Sequence, residues 1–327
     1  MNTVIETRGL EKRFGRVCAL DGLDFSVSAG EVYGFPGPNG AGKFSTIRVL
    51  LGLVSASGGS ATVFGRDPWN DAVELHKRIA HVPGDVNLWP NLSGGEVIDL
   101  LSRLCGGTAD KAAYRQRKAR LIEVFQFDPS KKSRAYSKGN RQKVALIAAF
   151  ATPAEVFILD ERTSGRAAST RRADEPTSGL DPLMEAIFNL EIRRVAAEDA
   201  TVLLSSHILS EVEQLCDRVG IIRAGKAVES GTLAELRHLT CAEVSFVQDG
   251  VTDAALARIP SSHDVVVADG RVRFTTDSEQ LTAVLAVLAV LNVQGLTIAP
   301  PSLEELFLRH YGDEITADDS GQGATKR

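Results

Sequence analysis

Apolar and polar residues alternate at period two in Leu23-Asp-Phe-Ser-Val27, and shorter runs of similar character occupy Thr3-Val-Ile-Glu-Thr7 and Glu31-Val-Tyr-Gly-Phe35. Successive side chains leave a strand on opposite faces, so this pattern predicts short strands. From Ser45 the spacing changes, and Ile47, Leu50 and Leu51 share one face of a helix. Residues 87–150 stay mostly helical in pattern. Val156-Phe-Ile-Leu159 and Thr201-Val-Leu-Leu-Ser205, by contrast, are apolar runs of the kind found in strands covered on both sides. The expectation is an α/β fold with an inserted helical region.

Beyond Leu239 the pattern restarts as strand (Glu243 to Val247), helix (Thr252 to Ile259), two strands (Asp264 to Ala268, Arg271 to Thr275), helix (Ser278 to Leu291) and strand (Leu296 to Ile298). Asp269-Gly270 between alternating runs is a hairpin signal, because such a turn demands positive φ. This order predicts a small α+β domain of split βαβ type. Pro300-Pro-Ser302 stops the last strand, and Ser302 caps a helix to about Tyr311. The polar residues after Gly312 read as a disordered tail.

The chain has 327 residues, 43% hydrophobic and 24% charged, which excludes a disordered or fibrous protein. At about 150 residues per domain this length suggests two cores. A net charge of −5 argues against a protein that coats nucleic acid. Cys18, Cys105, Cys216 and Cys241 have no paired spacing, so neither a disulfide framework nor a zinc site is expected. Met1 to Phe14 lacks a signal-peptide layout, and Leu281 to Val293 falls short of the roughly 18–20 apolar residues that span a bilayer. The reading is of a soluble protein that needs a partner for any work at a membrane.

Gly37-Pro-Asn-Gly-Ala-Gly-Lys43 stands between a predicted strand and a predicted helix. Backbone N–H groups of such a loop can wrap a di- or triphosphate, the lysine reaches the outer phosphates, and the helix N-terminus adds a favourable field. The next position calls for a Ser or Thr hydroxyl on Mg²⁺, and here it is Phe44, which has no oxygen to offer.

With these residues in place, the chain resembles the ATP-binding subunits of ABC transporters over about residues 4–312. The resemblance implies a P-loop NTPase (RecA-like) core with an N-terminal antiparallel β subdomain and a helical subdomain. The ATP-binding domain would cover residues 1–240 with the helical subdomain at about 87–150, followed by an accessory domain over 241–312 and a tail over 313–327. It implies ATP and Mg²⁺ as cofactors, bound around Gly37, Pro38, Asn39, Gly40, Ala41, Gly42, Lys43, Phe44, Ser45 and Thr46. Phe14, in Lys12-Arg-Phe-Gly15, stands where the family places an aromatic ring that stacks on adenine.

Two stretches compete for the family signature that clamps the γ-phosphate held by the opposite subunit. Leu92-Ser-Gly-Gly-Glu96 is nearer in letters, but it comes too early, where a glycine-rich start of a helix is the simpler reading. Ser137-Lys138-Gly139-Asn140 precedes a helix that runs directly into the Val156 strand, so Ser137 to Asn140 are taken as the signature. That strand ends in Asp160-Glu161. By resemblance Asp160 holds Mg²⁺ through water and Glu161 polarises the attacking water. His207 contacts the γ-phosphate, and Asp181 belongs to the D-loop at the subunit interface. Gly84 falls where the family has a glutamine, whose contact with Mg²⁺ or water the adjacent Asp85 would have to take over if the resemblance holds there.

One sequence feature has no counterpart in the family pattern. Asp160-Glu-Arg-Thr-Ser-Gly165 is nearly repeated as Asp174-Glu-Pro-Thr-Ser-Gly179, offset by 14 residues. Removing Arg162 to Glu175 restores an uninterrupted catalytic strand and D-loop, so 162–175 reads as an exposed extra loop. The apolar run ahead of Asp160, absent ahead of Asp174, favours Asp160 and Glu161 as the working pair.

Asp85-Val-Asn-Leu-Trp-Pro-Asn-Leu92, Tyr136-Ser-Lys-Gly-Asn-Arg-Gln-Lys143 and Pro301-Ser-Leu-Glu-Glu-Leu-Phe-Leu-Arg-His-Tyr311 are similar to the ABC-2 type drug and antibiotic exporters of the daunorubicin-resistance kind. That implies a homodimer, peripheral on the cytoplasmic face of the membrane. Its partner is an integral-membrane permease docked around Asp85 to Glu96, with Trp89 as an anchor, and nucleic acid is not a partner. Two weaker readings are a degenerate module that binds nucleotide but hydrolyses poorly, given Phe44 and the extra loop, and a permease-free ABC protein of ribosomes or DNA repair. The latter kind usually carries a duplicated cassette or long coiled-coil insertion, and this sequence has neither.

Overall fold

The computed structural model describes residues 2–105, 110–160, 182–206, 208–238, 241–247, 259–268, 270–277, 280–291 and 293–299. Glu161, the 162–175 loop, Asp181, His207, nearly all of the 252–259 helix, and the helix and tail beyond Pro300 lie outside these residues. The chain divides into two compact units, Met1–Ser230 and Gly231–Arg327.

The first unit opens with the long strands β1 (Thr3–Phe14) and β2 (Val17–Ser28), then β3 (Val32–Gly34), helix α1 (Lys43–Leu50) and β4 (Gly58–Val63). Strands β2, β1 and β4 form an antiparallel sheet in that order. Strand β1 runs well past the Thr7 expected from alternation, because register shifts between Thr7 and Glu11 break the period while pairing continues to Phe14.

Next come α2 (Ala72–His76), β5 (Ile79–Val82), α3 (Gly94–Leu104), α4 (Lys111–Val124), α5 (Lys138–Ala151), β6 (Val156–Leu159), α6 (Pro182–Ala197), β7 (Thr201–Leu204) and α7 (Leu209–Leu215). Strands β8 (Arg218–Arg223) and β9 (Lys226–Thr232) close a six-stranded sheet of order β5-β6-β7-β3-β8-β9. From β5 to β8 its pairs are parallel. Every residue of β6 and β7 is buried, as their unbroken apolar runs require.

The second unit holds α8 (Leu233–His238), β10 (Cys241–Val247), β11 (Ser262–Ala268), β12 (Arg271–Asp277), α9 (Leu281–Val290) and β13 (Gln294–Ala299). Its sheet is antiparallel, in the order β11-β12-β10-β13. Ala268 pairs with Arg271 across a two-residue connection whose Gly270 has φ 75°. Val244, Phe246, Val272, Phe274, Val284 and Leu288 form its core. Helix α9 covers Leu281–Val290 of the expected Ser278 to Leu291, and Ser278 and Glu279 lie outside the described residues.

Candidate active site

Parallel strands deliver their carboxyl ends to one edge of a sheet, where side chains of successive loops converge. Here β3 runs into the Gly37–Lys43 loop, β6 into Asp160, β7 into Ser205-Ser206 and β5 into Pro83-Gly84-Asp85. Backbone bonds carry the sheet one residue past each strand: Phe35 N–H donates to Leu204 O (2.8 Å), Ser205 to Leu159 O (2.9 Å) and Asp160 to Val82 O (2.9 Å). The carboxyl edge of the sheet is therefore fixed by the ladder itself.

The phosphate loop is held from both sides. A Cβ on Gly37 would lie 2.5 Å from the Ile222 carbonyl oxygen, and one on Gly42 would lie 2.8 Å from that of Ala19, where φ is also +113°. Only glycine admits both approaches. The β8–β9 turn completes the clamp: Gly225 N–H donates to Ala41 O (2.8 Å), and Asp21 N–H of β2 donates to Gly225 O (3.0 Å). Nothing in the weak turn letters Ala224-Gly225 marks this support; Ala224, at φ 46°, takes a conformation usual for glycine.

Helix α1 starts at Lys43, two residues before the expected Ser45, because Gly42 closes the loop as its N-cap. Lys43 is buried and its Nζ donates to the carbonyl oxygens of Gly37 and Pro38, so the ammonium sits within the loop. Thr46 donates its hydroxyl to Gly42 O (3.0 Å). Phe44 is 60% exposed, and the Arg48 guanidinium lies 5.4 Å from its ring centroid. Pro38, Asn39, Gly40, Ala41 and Ser45 complete the segment.

Phe14 is 44% exposed, with Lys12 Nζ 5.0 Å from its ring centroid. Lys12 pairs with Leu20, which packs on Gly42, and Phe14 stands two residues farther along the same strand, about 7 Å. Asp160 lines a small recess with Leu159, Ser205, Ser206 and Glu211. The Ser205 hydroxyl there is buried with no hydrogen-bond partner among the described residues. Ser206 Oγ accepts from Ile208 N–H (3.0 Å) and donates to Glu211 (3.3 Å), ordering the turn into α7. The sequence does not mark Ser205 or Glu211, since single polar residues after a strand carry no motif.

Both signature-like serines are N-caps. Ser137 Oγ accepts from Asn140 N–H (3.3 Å) at the start of α5, whose first turn is Lys138, Gly139 and Asn140. Ser93 forms a reciprocal capping box with Glu96 at the start of α3. Asp85 is exposed in the loop after Gly84. That loop borders a cavity of about 240 Å³ lined by His81, Val86, Leu88, Trp89, Leu101 and Ala148, among others. Trp89 is 49% exposed at its edge.

A loop for phosphates, a strand-end carboxylate and a capped helix in one parallel-sheet unit set the frame for comparison with known proteins. The profile of the ABC transporter family matches residues 20–164. That of the C-terminal domain of DrrA1-3-like ATP-binding proteins matches residues 231–311. Over 96% of its length the chain is 33% identical to the daunorubicin resistance ATP-binding protein DrrA3 of Streptomyces coeruleorubidus, 97% of which is covered. The chain belongs to the ABC transporter ATP-binding proteins.

This ABC ATP-binding protein is also 30% identical to the bacitracin transport ATP-binding protein BcrA of Bacillus licheniformis, over 95% of this chain and 98% of that one. A solved ATP-binding subunit of an ABC transporter superimposes with a TM-score of 0.64 at 27% identity, over 72% of this chain and 93% of that chain. As a family member the chain is an ATPase and the ATP-binding subunit of a transporter. No helix among the described residues is long and apolar enough to cross a membrane.

Proposed function

We propose that this subunit hydrolyses Mg·ATP at the carboxyl edge of its six-stranded sheet and powers export, of drug- or antibiotic-like molecules as in its relatives, through a separate membrane permease. The observation that carries the reading is that the loop holding the buried Lys43 and the β6 end carrying Asp160 leave the same carboxyl edge of the sheet, joined through β7. In this reading the loop amides and Lys43 bind phosphate, and Phe14 stacks on adenine. Glu161, next to Asp160, takes the proton of the attacking water, and His207 contacts the γ-phosphate. A second copy, in a homodimer on the cytoplasmic face of the membrane, supplies Ser137 to Asn140 in trans, with Asp181 at the interface.

Magnesium favours oxygen donors and gives up its water reluctantly, so one carboxylate acting through water would suit it. Asp160 is that carboxylate; Phe44 offers no oxygen, and the Thr46 hydroxyl is already bonded to Gly42. When bound, the metal neutralises charge on the transferring phosphoryl group. The buried Ser205 hydroxyl, which lines the same recess as Asp160 and has no partner among the described residues, would hold one of the waters.

The first unit would then serve as the ATP-binding domain and the second, which begins at Gly231 and not at the expected 241, as an accessory domain. The cavity beside Trp89 receives a cytoplasmic segment of the permease. A half-exposed tryptophan at the rim of an apolar cavity has the character of an interface anchor, worth on the order of 2 kcal/mol. Trp89→Ala is expected to weaken co-purification with the permease roughly 30-fold while solution ATPase activity persists. Unchanged co-purification and transport would place the docking surface elsewhere.

A further inference from the structure

Helix α4 carries Lys111, Arg115, Arg117, Lys118 and Arg120 against one acidic residue, Glu123, in a chain of net charge −5. Two of these cations face inward. Arg117 Nε donates to Ala151 O (3.0 Å), and Arg120 forks onto Glu191 of α6 at 2.7 and 2.5 Å. The other three, at spacings of four and three residues, lie on one stripe. They line an open groove of about 680 Å³ with Arg103 and Asp99 of α3, so that four cations face a single carboxylate.

That carboxylate is already engaged. Lys118 Nζ lies 2.6 Å from Asp99, and the buried Tyr114 phenol donates to it at 2.7 Å. Arg103, Lys111 and Arg115 are exposed and make no ion pair among the described residues. Asp110 accepts from the N–H groups of Ala112 and Ala113, which closes the helix N-terminus to a small anion and leaves the side-chain cations as the recognition element.

Position matters as well. Leu101 and Cys105 line the cavity beside Trp89, whereas Asp99 and Arg103 line the groove. Residues two apart are about 200° apart around a helix, so the two openings flank α3 on opposite sides, about 10 Å from each other. We propose that the groove takes the phosphate headgroup of an anionic membrane lipid, making the α3–α4 face a lipid-contacting surface. The choice of lipid as the phosphate source rests on the membrane setting proposed above. A nucleic acid would need a longer track of cations than one groove provides.

The test is co-sedimentation of the full chain with permease-free vesicles, of phosphatidylcholine alone or with one-third phosphatidylglycerol. A basic residue near an anionic surface contributes about fivefold in partitioning. Arg115→Gln is therefore expected to weaken binding to the anionic vesicles about fivefold, and the triple variant Arg103→Gln/Lys111→Gln/Arg115→Gln roughly a hundredfold, with unchanged thermal melting. Lys131→Gln/Arg134→Gln, on exposed cations outside the groove, is expected to bind like wild type.

Equal binding to neutral and anionic vesicles, or no loss in Arg115→Gln and the triple variant, would overturn the proposal. So would an equal loss in the control variant, which would indicate only a net-charge effect. Displacement by millimolar inorganic phosphate would assign the groove to a free anion instead. No binding to vesicles of either composition would likewise overturn the proposal. Because the vesicles hold no permease, failure of docking at Trp89 leaves this result unaffected.

Discussion

Phe44 occupies the position where this class of site places a hydroxyl on the metal. Its ring is exposed and lies against Arg48, rather than folded among the loop carbonyls that hold Lys43. Ser45 is about 100° around the helix from it, so it cannot take over without the loop slipping. With water in the lost position, hydrolysis is expected to be slow. Phe44→Ser is expected to raise Mg²⁺-dependent hydrolysis at least about tenfold, equivalent to ~1.4 kcal/mol of transition-state stabilisation. An unchanged steady-state rate with nucleotide binding intact would show that this position does not limit the reaction. His81 supplies a second test at this scale. Its Nε2 is buried without a partner among the described residues, and burial, with His76 nearby, lowers its pKa to about 4. The depressed value means that the folded state holds the imidazole neutral. The stability this preserves is complete above the unfolded pKa near 6.5 and is lost as pH falls towards 4. In urea unfolding, His81→Leu is expected to remove up to about 3 kcal/mol of the stability change across that window.

Elements show where sequence patterns carried information and where they did not. Strands β6 and β7 were legible because burial on both faces leaves unbroken apolar runs, and the phosphate loop because its glycines answer to close backbone approaches. The extension of β1 to Phe14 was hidden by bulges that break alternation without breaking pairing. Support of the loop by the β8–β9 turn was equally hidden, since the contact with Ala41 is made by backbone. Helix α4 has only Tyr114 and Leu121 buried, so its attachment relies on charge rather than an apolar stripe. Glu191 is 4% exposed and receives both arms of Arg120. Glu191→Ala leaves that guanidinium without its acceptor and is expected to cost about 2–4 kcal/mol in urea unfolding. A loss below about 0.5 kcal/mol, typical of a surface pair, would mean that the fork contributes little.

For the whole molecule, the ATP-binding unit and the C-terminal unit each have a core of their own. The central claim concerns the first: one Lys43 loop and one strand-end acidic pair hydrolyse ATP, with the duplicated Asp174-Glu175 surplus. The apolar strand ahead of Asp160 supports that pair, and the Asp160 backbone is fixed to Val82. The most direct measurement is steady-state Mg²⁺-dependent ATPase activity together with equilibrium ATP binding, in wild type, Lys43→Ala, Glu161→Gln and Glu175→Gln. The expected result is loss of binding and hydrolysis in Lys43→Ala. Glu161→Gln should retain binding but lose at least about a hundredfold in rate, the lower end of what a positioned base contributes, while Glu175→Gln behaves as wild type. Full activity in Glu161→Gln with loss in Glu175→Gln, or hydrolysis that survives Lys43→Ala, would contradict it.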